Sequence, residues 1–312
     1  MNELVNIRAE AASLAADLGP KLCEMGEDDA LKASIAALGE AGLLAWTVPA
    51  AYGGEATDLC EAETVSVRAL SAIRDELAYE HGVLDIAFIM QGLGSFPIAL
   101  SGNADLAAEV LPKVATGECI AAFAVTEEDA GSSLGEVTTT AERDGDSWKL
   151  TGAKTYITNA GLADRYTVLA RTGEDETTLF SVPAEGLSVE RFEVMAPHPI
   201  GEVKMDGVSV PDSARIGDVG AGLELALANL GRFRTSVASA ACGFARRALD
   251  EAVRHLSERE QFGRKLSKFQ GLRFDIAEMD ARLRAAQLLV EEAATLLDEG
   301  ADATSEVARA KL

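Results

Sequence analysis

The feature that most constrains this chain is a change of hydrophobic period, made twice. From Cys119 to Ile216 polar and apolar residues alternate with the two-residue period of half-buried strands, whereas the sequence on both sides repeats at helical spacing. Six or more short strands with mixed turns and no crossover helices fit a small antiparallel β-barrel or sandwich. The predicted fold class is therefore α+β. An N-terminal helical domain covers 1–118, a middle antiparallel β-domain 119–216 and a C-terminal helical bundle domain 217–312.

The 312 residues can bury a large core, and 48% of them are hydrophobic, which places the chain among folded proteins. Net charge is −23, from 51 acidic against 28 basic residues, a field that disfavours a phosphate backbone or an anionic membrane surface. Cys23, Cys60, Cys119 and Cys242 are far apart and are expected to be buried free thiols. Neither they nor His81, His198 and His255 have metal-ligand spacing, so no metal site is expected. The N-terminus lacks the basic start and apolar run of a secretory signal, and a cytoplasmic location is the expectation.

Helical spacing predicts helices over 2–27, about 30–42, 60–80 and 84–99, with a polar break at 27–29 and a tight turn at Pro49–Gly54. The run DIAFIMQGLGSFPIAL is too short and too glycine-rich for a membrane span and reads as a buried helix. Asp144-Gly145-Asp146 is the sharpest hairpin signal. From Gly220 the helical period persists for about forty residues, resumes over Phe269–Glu299, and begins again in GADATSEVARAKL. That last helix stops within its first turns, so further sequence beyond Leu312 is expected. Long helices side by side imply a bundle that commonly buries one face against a second subunit.

Three clusters could carry chemistry. Val125-Thr126-Glu127, then Gly131-Ser132-Ser133, place hydroxyls and free backbone amides at a strand end. They suit the edge of a flat heteroaromatic ring or a pyrophosphate, or form an ordinary capped turn. Tyr156 and Thr158, two apart on a strand, point the same way. The pair could cover and hydrogen-bond a ring, or the tyrosine could pack on the core. In Arg259-Glu260-Gln261-Phe262-Gly263 and Phe269-Gln270-Gly271, a guanidinium at a helix end suits a phosphate or carboxylate; otherwise this is a helix corner plugged by Phe262. Arg232 and Arg234 are either anion contacts or partners of nearby acids. No Ser/His/Asp triad, GxSxG, P-loop or Rossmann glycine pattern occurs, and Gly92 and Gly94 lie in a helical context.

Taken in order, PAAYGGEATD, FAVTEEDAGS, GAKTYITNAG and REQFG…FQ resemble the acyl-CoA dehydrogenase family over essentially the whole chain. The resemblance implies one FAD per subunit in a homo-dimer or tetramer, an acyl-CoA substrate, and electron transfer to an electron-transfer flavoprotein. It implies that Phe123, Val125 and Thr126 contact the isoalloxazine, and that Gly131 and Ser132 lie beside the flavin pyrophosphate, Ser132 also beside the substrate's CoA portion. Tyr156 would stack on the ring and Thr158 would hydrogen-bond it; Arg234 would lie near the active-site end of the long helix, as a substrate contact. Arg259, Phe262 and Gln270 would reach the FAD of the partner subunit.

The sequence also departs from the family pattern. Tyr156 stands where tryptophan is usual, and Glu128-Asp129 where Pro-Gly is usual. The catalytic base is unknown: the usual glutamate would lie beyond Leu312, and the alternative position on the long helix is Phe233. Other expectations follow from that gap. One is a short subunit acting in a heteromer with a related chain. Another is an oxidase or flavin monooxygenase relative, and a third is a non-catalytic helical-bundle protein. The acyl cavity is expected between the helices at 84–99 and 222–240, lined by Met90, Leu93, Phe96, Leu227 and Leu230.

Overall fold

Glu27, Asp28 and Asp29, read above as a break, instead form the first turn of a helix, where carboxylates complement the positive end of the helix dipole. The structure, a computed structural model, describes residues 2–312, with side chains from Glu3. Its N-terminal helices are α1 (Asn2–Leu22), α2 (Glu27–Glu40), α3 (Val67–Glu80), α4 (Gly82–Leu100) and α5 (Ala104–Thr116). The third helix starts at Val67, because Ser66 caps it by accepting the Ala69 amide. Helix α4 is long and apolar enough to cross a membrane by composition, but 78% of that window is buried in the protein. It is the central core helix.

The strands are β1 (Ala121–Ala124), β2 (Thr140–Asp144), β3 (Ser147–Thr158), β4 (Arg165–Arg171), β5 (Thr177–Pro183), β6 (Ser188–Arg191), β7 (Ile200–Pro211) and β8 (Arg215–Ile216). They form one sheet in the order β6-β7-β3-β2-β4-β5-β8, with β1 also beside β4. The predicted hairpin joins β2 to β3, Asp144 pairing with Ser147. The sheet is mixed, which corrects the purely antiparallel expectation. One edge of β4 is shared in parallel by β1, from Arg165 to Val168, and by β2 at Arg171. The reason lies in α4. Its buried Gln91 accepts the Ala121 amide, and Gly94 lets the helix lie so close to β1 that a Cβ there would come within 2.8 Å of Ala121. The helix therefore sets where β1 enters the sheet.

The C-terminal helices are α6 (Gly222–Glu258), α7 (Gln270–Asp298) and α8 (Thr304–Lys311), with a two-strand hairpin, β9 (Glu260–Gln261) and β10 (Arg264–Lys265), between the first two. Asp298 ties the end of α7 to the N-terminal helices. Its buried carboxylate accepts from Ser66 Oγ (2.7 Å), the Val67 and Arg68 amides (2.7 and 3.2 Å), Arg68 Nε (3.0 Å) and Arg232 Nη2 (3.1 Å). An acid 231 positions away thus caps α3 and neutralises Arg232. The thiol expectation holds for Cys119 and Cys242; Cys60 is half-buried, and Cys23, in the turn just past the end of α1, is exposed.

Candidate functional site

The first two clusters become neighbours through one backbone hydrogen bond, from the Thr155 amide to the Thr126 carbonyl at 2.9 Å. The pairing of β3 with β7 breaks between Lys154 and Ile157, and Tyr156 takes the left-handed conformation, φ 55°. An aromatic residue there is strained by roughly 1 kcal/mol or more, and a bulge is the usual device that holds it. The result is a tyrosine ring 66% exposed, touched edge-on by Phe192 at 5.7 Å, while Ile157 is buried beneath it and Thr158 is half-buried.

Under this wall lies a pair that no local sequence signal announced. Lys154 is completely buried and donates to Glu127 Oε1 at 2.7 Å. Glu127 also accepts from the Thr138 amide (2.6 Å) and hydroxyl (2.7 Å) and from the Thr139 amide (3.0 Å). Burial alone would raise this carboxyl, but the bonds from Lys154, Thr139 and Thr138 outweigh it and hold Glu127 at about 2. Burial brings Lys154 down to about 8, with Glu127 pulling the other way. The carboxylate is a structural anchor, fully engaged, and has no free lone pair directed at chemistry.

Glu127 and Ala130 exchange backbone hydrogen bonds of 3.1 and 3.2 Å, closing a turn that leaves Glu128 and Asp129 exposed. The unusual acidic pair therefore faces solvent. Gly131 and Ser132 follow, both exposed, whereas Phe123 and Val125 are packed into the helical core. Those two can offer a ring little beyond their backbone.

Beside Thr158 opens a cavity of about 300 Å³ between α4 and α6. Met90, Leu93, Leu230 and Phe233 line it, as expected for the first three. Phe96 does not; it packs edge-on against Phe233 at 5.6 Å, and Leu227 lies outside the lining and is half-exposed. Phe233 seats on Gly92, where a Cβ would come within 2.6 Å of its ring. At the mouth Thr158 Oγ1 lies 2.9 Å from His198 Nε2. Burial pushes the His198 imidazole down, opposed by Glu27 and assisted by Arg191. On another side Arg74 and Asp85 form a buried bidentate pair. Arg234 is exposed at the rim.

The third cluster is elsewhere. At ~1.5 Å rise per residue, α6 carries Arg259 roughly 35 Å beyond Arg234. Arg259, Phe262 and Gln270 are all exposed there, and Phe262 is 90% accessible, so it plugs no core. Phe262 (φ 54°) and Gly263 (φ 74°) make the tight turn of the β9–β10 hairpin. Sequence reasoning missed Lys154, His198, Arg74 and Asp85. The last two carried a signal: single charges inside apolar helical faces require partners.

An exposed aromatic held at positive φ, two threonines and an apolar cavity fit a flat ring stacked on Tyr156 and hydrogen-bonded by Thr158. Among the described residues no group of three or more His, Cys, Asp or Glu side chains could hold a metal. Helices, a mixed sheet and a helical bundle, with a cavity where the three meet, define a class of flavin-dependent oxidoreductases. Family models for the N-terminal, middle and C-terminal domains of acyl-CoA dehydrogenases match residues 2–118, 122–208 and 220–312. The chain is 34% identical over 276 residues to the probable acyl-CoA dehydrogenase fadE25 of Mycobacterium leprae, covering 86% of this chain and 69% of that one. It is 36% identical over 251 residues to the caffeyl-CoA reductase-Etf complex subunit CarC of Acetobacterium woodii, covering 76% and 65%. The solved butyryl-CoA dehydrogenase of Megasphaera elsdenii superposes with a TM-score of 0.88 at 27% identity, over 97% of this chain and 82% of that one. A glutaryl-coenzyme A dehydrogenase in complex with glutaryl-CoA gives 0.87 at 27% identity, over 100% and 84%. The chain belongs to the acyl-CoA dehydrogenase family; it is an oxidoreductase and its cofactor is FAD.

Proposed function

We propose that this chain removes hydrogen from the α and β carbons of an acyl-CoA thioester and passes the electrons to an electron-transfer flavoprotein. The observation that carries this reading is the apolar cavity that opens directly beside Thr158. FAD, when bound, supplies the hydride acceptor. The chain's own part is to hold and to exclude. Tyr156 covers one face of the ring, Thr158 donates to its edge, and His198 fixes the Thr158 rotamer. Thr126, with the Phe123 and Val125 backbone, lines the rim, and Gly131 and Ser132 face the pyrophosphate and the CoA portion. Ile89, Met90 and Leu93 of α4 face Leu230 and Phe233 of α6, keeping water from the acyl group. Arg234 at the mouth suits an anionic part of the substrate.

Arg259, Phe262 and Gln270 are then assigned to the FAD of a second subunit, because α6 carries them so far from their own wall. A homo-dimer or tetramer follows from that assignment. The relatives named for an Etf complex and for glutaryl-CoA support the acceptor and the thioester class. The proton acceptor is assigned to neither Phe233 nor Asp85, since the second is engaged at both oxygens by Arg74. Phe233 favours one second reading, a subunit that shares its site with a related chain. The test is anaerobic addition of straight-chain acyl-CoAs to FAD-loaded protein, followed by absorbance. Bleaching of the oxidised flavin, reversed by electron-transfer flavoprotein, is expected. No bleaching with any acyl-CoA, alone or with a co-expressed sibling chain, would overturn the reading.

A further inference from the structure

The cavity beside Thr158 is mostly apolar; Thr158, His198, Arg234 and Lys311 add polar groups to its lining, and one further polar group is a buried ion pair. Arg74 and Asp85 are 4% and 5% exposed, and both line it. Arg74 Nε and Nη2 donate to the two oxygens of Asp85 at 2.6 and 2.7 Å, and Nη1 donates to Ser236 Oγ at 3.0 Å. Ser236 in turn donates to the Phe233 carbonyl at 2.8 Å, so its oxygen is oriented to accept from the arginine. Asp85 lies in the first turn of α4, where the helix dipole favours its charge.

A guanidinium carries five N–H groups. Three are used, and each terminal nitrogen keeps one N–H with no protein partner among the described residues. Desolvating a donor without replacing its partner costs about 1–3 kcal/mol. A hydrocarbon chain filling this cavity supplies an acceptor to neither donor. Tying α3, α4 and α6 together does not explain the pair either, because a structural tie has no need to face a ligand cavity, and a buried pair is a poor source of stability.

We propose that Arg74, held by Asp85 and Ser236, recognises an uncharged oxygen, a hydroxyl or ketone, on the part of the acyl group remote from the thioester. This rests on the acyl-thioester reading of the cavity. An oxygen acceptor satisfies the free donors. At Arg74 a carboxylate would bring a second negative charge beside Asp85, whose charge already neutralises the arginine, and is disfavoured there; the other cations of the lining, Arg234 and Lys311, are not part of this pair. The pair is a specificity device and takes no part in proton or hydride transfer.

The test compares binding to the FAD-loaded full chain by calorimetry, which requires no turnover. The probes are butanoyl-, hexanoyl- and octanoyl-CoA, their ω-hydroxy counterparts, and the corresponding ω-carboxy thioesters. At the best-fitting length the hydroxy form is expected to bind about tenfold more tightly than the hydrocarbon, one or two net hydrogen bonds' worth, with the carboxy form weaker than the hydroxy. In the double variant Arg74→Met, Asp85→Leu, which removes both charges together, the preference should reverse. Equal or tighter binding of the hydrocarbon by the unaltered chain overturns the proposal without any variant having to fold, as does tighter binding of the carboxylate. An unchanged ratio in the folded double variant overturns it too. Failure of every thioester to bind overturns the acyl-thioester reading beneath it, an outcome distinct from binding without preference.

Discussion

Tyr156 and Phe262 are both aromatic residues held at positive φ, 55° and 54°, and the protein supports them in opposite ways. Tyr156 sits on a bulge in a 12-residue strand, with Ile157 and the Lys154–Glu127 pair buried directly behind it. Phe262 sits at the tip of a two-residue-per-strand hairpin, 90% exposed, with only the edge of Phe269 at 6.3 Å for company. Strain of this kind persists where surrounding structure over-determines it. For Tyr156 that structure is the strand and the buried pair behind it; for Phe262 it is the tight turn of its hairpin. One half of the cofactor site is thus built by folding, and the other is completed by assembly on the reading proposed above.

The comparison breaks most visibly if the internal support is removed. Lys154→Met strands the Glu127 carboxylate in the interior and should cost about 3–5 kcal/mol, the usual penalty for removing one partner of a buried pair. Denaturant titration measures it directly. Adding Glu127→Gln should recover a large part of the loss, since the uncompensated charge is gone. If Lys154→Met alone is nearly neutral, the wall is not anchored as the hydrogen bonds indicate.

Next comes Asp298→Ala. The substitution uncaps α3 and leaves Arg68 and Arg232 facing each other without their shared anion, for an expected loss of about 3 kcal/mol, also by denaturant titration. This sharpens the contrast within α7, whose C-terminal end is locked to the core while its first residue, Gln270, is exposed.

These two anchors show what was legible in the sequence and what was not. The helix and strand blocks, the 144–146 hairpin and the Thr126 and Tyr156 clusters declare themselves through period and turn residues, which are local. Lys154 and Glu127 are 27 positions apart, and Asp298 reaches 231 positions back. Nothing in a local window distinguishes such residues from solvated charges. The bulge that aims Tyr156 was hidden for a similar reason: alternation predicts which face a residue takes, and a register break changes the count without changing composition. The parallel entry of β1 depended on Gln91 and Gly94 of another element. The site's motifs were therefore readable in the sequence, whereas the pairs closed by the fold were not.

A smaller effect tests the same anchor by pH. Glu127 has its folded value at about 2 against an ordinary 4.5, so the unfolded chain binds the extra proton first. Its stabilising contribution is whole above about 4.5 and is lost progressively as pH falls toward 2. The denaturant midpoint should therefore drop between pH 5 and pH 3, and the drop should be shallower in Glu127→Gln. Equal slopes in the two proteins would remove Glu127 from the acid response.

The smallest expected change in stability is the most informative about the second region. Phe262→Ala removes an exposed ring, so thermal and denaturant midpoints should move by no more than about 0.5 kcal/mol, the range for surface positions without a specific partner. Tyr156→Ala shares that expectation, since its ring too is mostly exposed. The two should part on assembly. If Phe262 completes a neighbour's cofactor site, its alanine variant weakens FAD retention in a way that depends on protein concentration, and shifts subunit association measured by sedimentation. Tyr156→Ala should weaken FAD retention equally at every concentration, because its ring belongs to the wall of its own chain. Concentration-independent loss in both variants would place both aromatics on one subunit's site, and the contrast between a folded half and an assembled half would fail.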